Sequence, residues 1–207
     1  MKWYPIIPAG TFVDAFVFLE EDDQRRLQVR RRYADLACPN PRCRKFDEYA
    51  ALDRGLEPGL TFRLRRDFGS SADDCLLAGP RFRDFVIGRG LAGLAFIADA
   101  AGSASAIRPT AIMRATTPTA GLDLRGAPCP TCGRHRLSVG RPSISDMDLS
   151  EAQDFFSTDV RPESRYARFA TVYARGSLVA DMRAAGLTGI DWGACERFAE
   201  AKVVRAD

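Results

Sequence analysis

The sequence predicts an α+β fold: mixed, mainly antiparallel β structure with short helices, two embedded cysteine turns and two related strand–helix–strand units. Three observations predict it. The stretch from Cys75 to Phe96 aligns without a gap on the stretch from Thr171 to Trp192. Short apolar or alternating runs, broken by Gly and Pro, recur along the rest of the chain. Cysteines come in two close pairs, Cys38 with Cys43 and Cys129 with Cys132, on either side of the first repeated stretch.

In chain order, Phe12 to Leu19 is apolar and β-rich, and Leu27 to Tyr33 alternates in part. Leu60 to Arg66 (LTFRLRR) alternates throughout, the pattern of a half-buried strand. The first unit, 75–96, opens with an apolar strand, then a helix with Phe82, Phe85 and Val86 on one face. Gly90 ends that helix, and GLAGLAF leads into a second strand. Ala100 to Ser105 reads as a small-residue loop, and Ile107 to Thr116 as a further strand. Arg136 to Val139 is expected as the strand leaving the second cysteine turn. Ser150 with Gln153 resembles a capping box opening a short helix through Phe156. Glu163 to Arg168 is polar and read as loop. The second unit, 171–192, repeats the first: a strand, a helix with Leu178, Val179 and Met182 inward, Gly186 as its stop, then GLTGIDW.

The cysteines carry the most specific chemistry. Cys38 and Cys43 close CPNPRC; Cys129 and Cys132 close CPTC, followed by Gly133. Thiolates are soft ligands, and two tight turns can meet to supply the four that a structural Zn²⁺ takes. Pro39, Pro41 and Pro130 tighten the turns, and a glycine after the second cysteine frees the backbone to aim its N–H groups at sulfur. The expectation is one embedded zinc-knuckle pair, at 38–43 and 129–133, holding a structural Zn²⁺ with Cys38, Cys43, Cys129 and Cys132 as ligands. The alternative is four reduced thiols without metal. The first pair has four intervening residues and Arg44 where a glycine is expected; His135, just past the second pair, could substitute as a ligand. A shared ion would cross-link remote segments, which argues for a single domain over 1–207. Cys75 and Cys195 stand alone in apolar surroundings and read as buried.

Other motifs carry less. CPTC has a redox form, but Gly133 and a strand-like RLSV follow where a helix is required. Gly88–Gly93 fits G-x-G-x-x-G with helix and strand in the wrong order for a dinucleotide. With one histidine and no G-x-S-x-G, the chain asks for no hydrolytic site, so no enzyme, catalytic residue or small-molecule substrate is expected. Net charge is +3, from 30 basic and 27 acidic residues, a weak argument for nucleic acid. The basic run Arg25 to Arg32 follows Glu20 to Asp23 and reads as a charged surface hairpin. No membrane-spanning stretch is visible, and Pro5 and Pro8 interrupt the apolar start that a signal peptide would need, so a cytoplasmic location is expected.

CPNPRC, CPTCG and the closing FATVYARGSLVADMRAAGLTGIDW together resemble the double-CXXCG-motif family of myxobacterial paralogues, bacterial immunity proteins of toxin–immunity pairs. The resemblance covers the cysteine pairs and about the last 60 residues. It implies a cytosolic protein that binds and neutralises a cognate polymorphic toxin by stoichiometric inhibition, its zinc fixing the scaffold. Glu20 to Asp23 and Asp146 to Asp154 are acidic surfaces that a basic toxin could meet. The alternative is a zinc-ribbon-like nucleic-acid-binding or regulatory protein using Arg25 to Arg32, Arg42, Arg44, Lys45, Arg134 and Arg136.

Overall fold

Gly, Pro and short apolar runs chop the chain into brief elements. The computed structural model describes residues 3–10, 12–13, 15–43, 45–113, 122–134, 137–140, 153–158 and 171–197. The first part runs β1 (Trp3–Ile6), β2 (Phe12–Val13), β3 (Leu19–Glu21), β4 (Leu27–Val29), a 3₁₀ helix (Arg31–Leu36) and α1 (Glu48–Asp53). Then come β5 (Phe68–Ser71), β6 (Leu76–Ala78), α2 (Pro80–Gly88), β7 (Leu94–Ala98), β8 (Ser105–Pro109) and β9 (Ile112–Met113). The last part holds β10 (Leu122–Arg125), β11 (Leu137–Gly140), β12 (Phe155–Thr158), β13 (Val172–Arg175), α3 (Gly176–Ala184) and α4 (Trp192–Arg197). The content is mixed α/β, with mostly antiparallel sheets and a few short helices.

The two larger sheets have the orders β2-β5-β6-β8-β7 and β9-β12-β13-β1. Laid side by side, they share one plan. β2 is parallel to β5 through Phe12↔Ser70, as β9 is to β12 through Ile112↔Ser157. β5 meets β6 antiparallel with Phe68↔Ala78, as β12 meets β13 with Phe155↔Ala174. β6 meets β8 with Ala78↔Ser105, as β13 meets β1 with Ala174↔Tyr4. The repeat therefore reaches well beyond the two helical units. Each half runs from an opening strand (β1, β8), through a parallel edge strand (β2, β9) and a strand pair, to a helix. The opening strand of each half completes the sheet of the other, so the halves are interleaved.

The helices follow the same rule. α2 and α3 end in the same hydrogen-bonded C-cap: Gly90 N–H donates to Ile87 O and Leu91 N–H to Val86 O, while Gly186 N–H donates to Arg183 O and Leu187 N–H to Met182 O. The loops that follow reach across to the opposite half. Phe155 N–H donates to Ala92 O, and Phe68 N–H to Thr188 O. Asp154 accepts from Ala92 N–H at 3.0 Å, and Asp67 from Thr188 N–H at 2.8 Å. Both crossings need glycine. Gly93 has φ +106° and a Cβ there would stand 2.7 Å from Phe155 C; Gly189 has φ +88° and a Cβ there would stand 2.9 Å from Phe68 C.

One core cluster joins the halves: Phe68, Phe82 and Val86 pack with Phe155, Val172 and Met182. A second lies under the first half, where Phe18, Tyr33, Phe46 and Phe62 gather. Cys75 and Cys195 are buried, as expected.

Several elements differ from expectation. Among the described residues of Phe12 to Leu19, strand forms only at the two ends, and Tyr33 lies in the 3₁₀ helix beyond β4. LTFRLRR is not a strand, although Phe62 is buried and Arg63 exposed as its alternation implies. Its ladder is replaced by Asp99, whose carboxylate accepts from Phe62 N–H at 2.8 Å. The Gln153–Phe156 segment is not helix, because Phe155 and Phe156 open a strand paired with β13; Ser150 lies outside the described residues. In the second unit the strand after the helix shrinks to one bridge, Pro8↔Ile190, before α4 begins. Ile107 to Thr116 divides between β8 and β9, and 114–116 lie outside the described residues, as do 163–168. Leu137–Gly140 does leave the second cysteine turn as a strand, paired with β10.

Candidate metal centre

The two cysteine pairs occupy matching places, the first between β2 and β5, the second between β9 and β12. Each turn is closed by one hydrogen bond at its base. Cys38 N–H donates to Lys45 O at 2.6 Å, and Cys129 N–H to Arg134 O at 2.8 Å. In both, the acceptor is the second residue past the second cysteine. The two extra residues of CPNPRC are taken up by an inner turn, Cys43 N–H to Asn40 O at 2.9 Å. In CPTC, Gly133 adopts φ +70° and its N–H donates to Cys129 O at 2.8 Å.

The turns converge. Cys38 Sγ lies 3.9 Å from Cys129 Sγ, and Cys43 Sγ lies 3.5 Å from Cys132 Sγ. All four sulfurs fall within 4.8 Å of one another, and together they could hold a metal ion. Thiolates bound tetrahedrally at ~2.3 Å from one zinc would stand about 3.8 Å apart, and the two distances across the turns lie close to that spacing. First cysteine faces first and second faces second, which puts the cluster where the two halves meet.

Backbone N–H groups aim at the sulfurs. The N–H groups of Cys132 and Thr131 bring the Cys129 thiol down to about 6. Burial pushes Cys43 up to about 12, opposed by the Lys45 N–H. Burial also raises Cys38, opposed by the Asn40 N–H. A cation is the charge that would let all four ionise together. Cys132 is exposed and the other three half-buried, so an ion would be reachable from solvent yet fully ringed by protein ligands.

Two residues that the cysteine pattern does not disclose tie the turns together. Asn40 Nδ2 donates to Cys129 Sγ at 3.5 Å, while Asn40 Oδ1 accepts from Arg42 N–H at 3.0 Å. Arg134 Nη1 donates to Phe46 O, joining the second turn to the base of the first. Asparagine in a proline-flanked turn was the available signal for Asn40; for Arg134 there was none. His135, Arg44 and Arg136 lie outside the described residues, as do 146–152 of the acidic stretch Asp146 to Asp154.

Part of the other charged motifs is engaged locally. β3 and β4 form the expected hairpin, with Asp22 pairing Arg26 at 2.8 Å. Arg30 reaches Phe16 O, Arg32 reaches Arg54 O and Lys45 is buried, whereas Arg25, Arg31 and Arg42 are exposed. The G-x-G-x-x-G segment is the C-cap and crossing loop of α2, as its order of elements implies. No helix among the described residues is long and apolar enough to cross a membrane. Comparison with known proteins finds no family model that matches the chain and no curated protein that matches it.

Proposed function

We propose that Cys38, Cys43, Cys129 and Cys132 hold one structural Zn²⁺, and that the protein is a cytoplasmic immunity protein that binds and neutralises a cognate toxin stoichiometrically. The observation that carries the metal reading is the convergence of four sulfurs, at 3.5 and 3.9 Å across the turns, with backbone N–H groups directed at them. Four soft protein ligands favour zinc and leave no position for substrate, so the ion's contribution is to lock two remote turns into one rigid surface. A rigid, preorganised surface is what tight stoichiometric inhibition asks for, since little ordering entropy is lost on binding. The toxin-binding part rests on the sequence resemblance carried by the cysteine turns and the closing GLTGIDW segment.

The metal is tested by elemental analysis of purified protein. About one zinc per chain is expected, lost in Cys129→Ser with the far-UV spectrum largely retained. Zinc well below that stoichiometry in protein purified without chelator refutes it. The toxin is tested by co-expression with the product of the neighbouring gene, scored by growth rescue and co-purification in equal amounts. Salt-sensitive binding to random duplex DNA without rescue would favour the nucleic-acid alternative instead.

A further inference from the structure

β7 is the outer strand of the five-stranded sheet. Its backbone groups divide cleanly. Gly93 O accepts from Thr110 N–H and Asp99 N–H donates to Ala104 O, so Ala95 and Ile97, in phase with them, turn toward β8. Leu94, Phe96 and Ala98 turn their N–H and C=O groups outward, and no described residue bonds to those groups. The strand is held firmly from both faces, Leu94 and Phe96 against one core cluster and Ile97 against the other. The matching segment of the other half behaves differently. There Asp191 N–H donates to Ile7 O, and Asp191 Oδ1 then caps α4 through Ala194 N–H at 2.8 Å, so the chain leaves the sheet.

Edges of this kind are normally guarded by lysine, proline or a bulge, and LAFIA has none of them. We propose that the outer edge of β7 pairs antiparallel with β7 of a second copy of this chain, about a two-fold axis through Phe96. The charge pattern admits a second copy as the occupant. A two-fold axis sets only its central residue against its like, and that residue, Phe96, like the rest of β7, carries no charge to repel. The register does so too. A two-fold axis through Phe96 sets Leu94 against Ala98, large against small, and every outward N–H meets an outward carbonyl. Sheets from two chains then join into one continuous sheet.

Sedimentation of the metal-loaded protein over a dilution series tests this. Ala98→Pro removes an outward N–H and leaves the β8 ladder intact; Ala98→Lys, at an exposed position, sets a charge against Leu94 of the second copy and guards against a proline that fails to fold. A wild-type dimer that dissociates on dilution is expected, with a dissociation constant raised about tenfold or more in both variants at unchanged zinc content. Wild-type protein that stays monomeric throughout, or variants that dimerise like wild type, overturns the proposal.

Discussion

Replacing Gly93 or Gly189 by alanine tests the interleaved repeat most directly, because two other glycines serve as internal controls. Gly90 and Gly186 have φ +62° and +65°, and a Cβ at either would meet nothing within 4 Å, so alanine there meets only the left-handed backbone penalty, about 1–2 kcal/mol. Gly93 and Gly189 carry that penalty and a collision with backbone, at 2.7 Å from Phe155 C and 2.9 Å from Phe68 C. Relief requires the crossing loop to lift from the opposite strand. In the first half that breaks Phe155 N–H to Ala92 O and Ala92 N–H to Asp154, both 3.0 Å long. A neutral bond contributes about 1 kcal/mol and one to a carboxylate about 2 kcal/mol, so Gly93→Ala should lose about 4–5 kcal/mol in all. Gly189→Ala should lose a similar amount, through Phe68 N–H to Thr188 O at 3.1 Å and Thr188 N–H to Asp67 at 2.8 Å. Urea denaturation at fixed zinc, followed by circular dichroism, measures all four variants. If Gly93→Ala and Gly189→Ala fall in the range of Gly90→Ala and Gly186→Ala, the close crossing is wrong.

Two further substitutions follow. Burial, with Asp73 adjacent, pushes the Asp74 carboxyl up to about 6, and its φ of +63° suits asparagine equally well. The folded form then binds more protons than the unfolded chain between about pH 4 and 6, so this group removes stability as pH rises through that window, by about 3 kcal/mol at most. Asp74→Asn should gain on wild type as pH goes from 5 to 7 in thermal melts, and parallel pH curves for the two proteins would exclude this. Asn40→Ala removes the side-chain donor to Cys129 Sγ; competition with a chromogenic chelator should show zinc bound about tenfold more weakly at unchanged stoichiometry, and equal affinity would show that bond to be idle.

Much of the fold was legible where local rules act alone. The helical units declared themselves through Phe82, Val86, Leu178 and Met182 on buried faces and glycines at the C-caps. The rest of the repeat was not legible, because sheet register is set by backbone hydrogen bonds and its side chains need only be apolar or small. Beside the cysteine turns, what the other parts of the two halves share in sequence comes down to Asp67-Phe68 against Asp154-Phe155 and the paired Pro8 and Pro109, too little to notice before the registers are known. LTFRLRR shows the reverse failure. Its alternation correctly put Leu60, Phe62 and Leu64 toward a core, but the partner of Phe62 N–H is a carboxylate. Burial would raise Asp99, yet N–H groups from Phe62, Ala104 and Ser103 outweigh it and hold it below the usual range. The cysteine cluster was legible because ligand chemistry needs specific residues, whereas Asn40 and Arg134 act through bonds that many residue types could make.

The repeat also fixes where the metal matters. Interleaved opening strands already bind the halves through β1 with β13 and β8 with β6, so the ion is not what joins them. The second cysteine turn is another case. It sits at the tip of β10 and β11, which form a two-stranded sheet of their own, and such a hairpin is marginal in water. The first turn stands on firmer ground, since Phe46 beside it is in the core and Ala37 bridges to Phe46. An ion held by both turns would lend the hairpin the stability of that core. Chelation should therefore loosen the chain selectively. In hydrogen exchange, amides of 122–140 should lose protection first and most, those of 37–46 less, while β5, β6, β12 and β13 keep theirs. Uniform loss across all strands would mean that the metal supports the whole fold, and loss confined to β1 and β8 would mean that it is what holds the halves together.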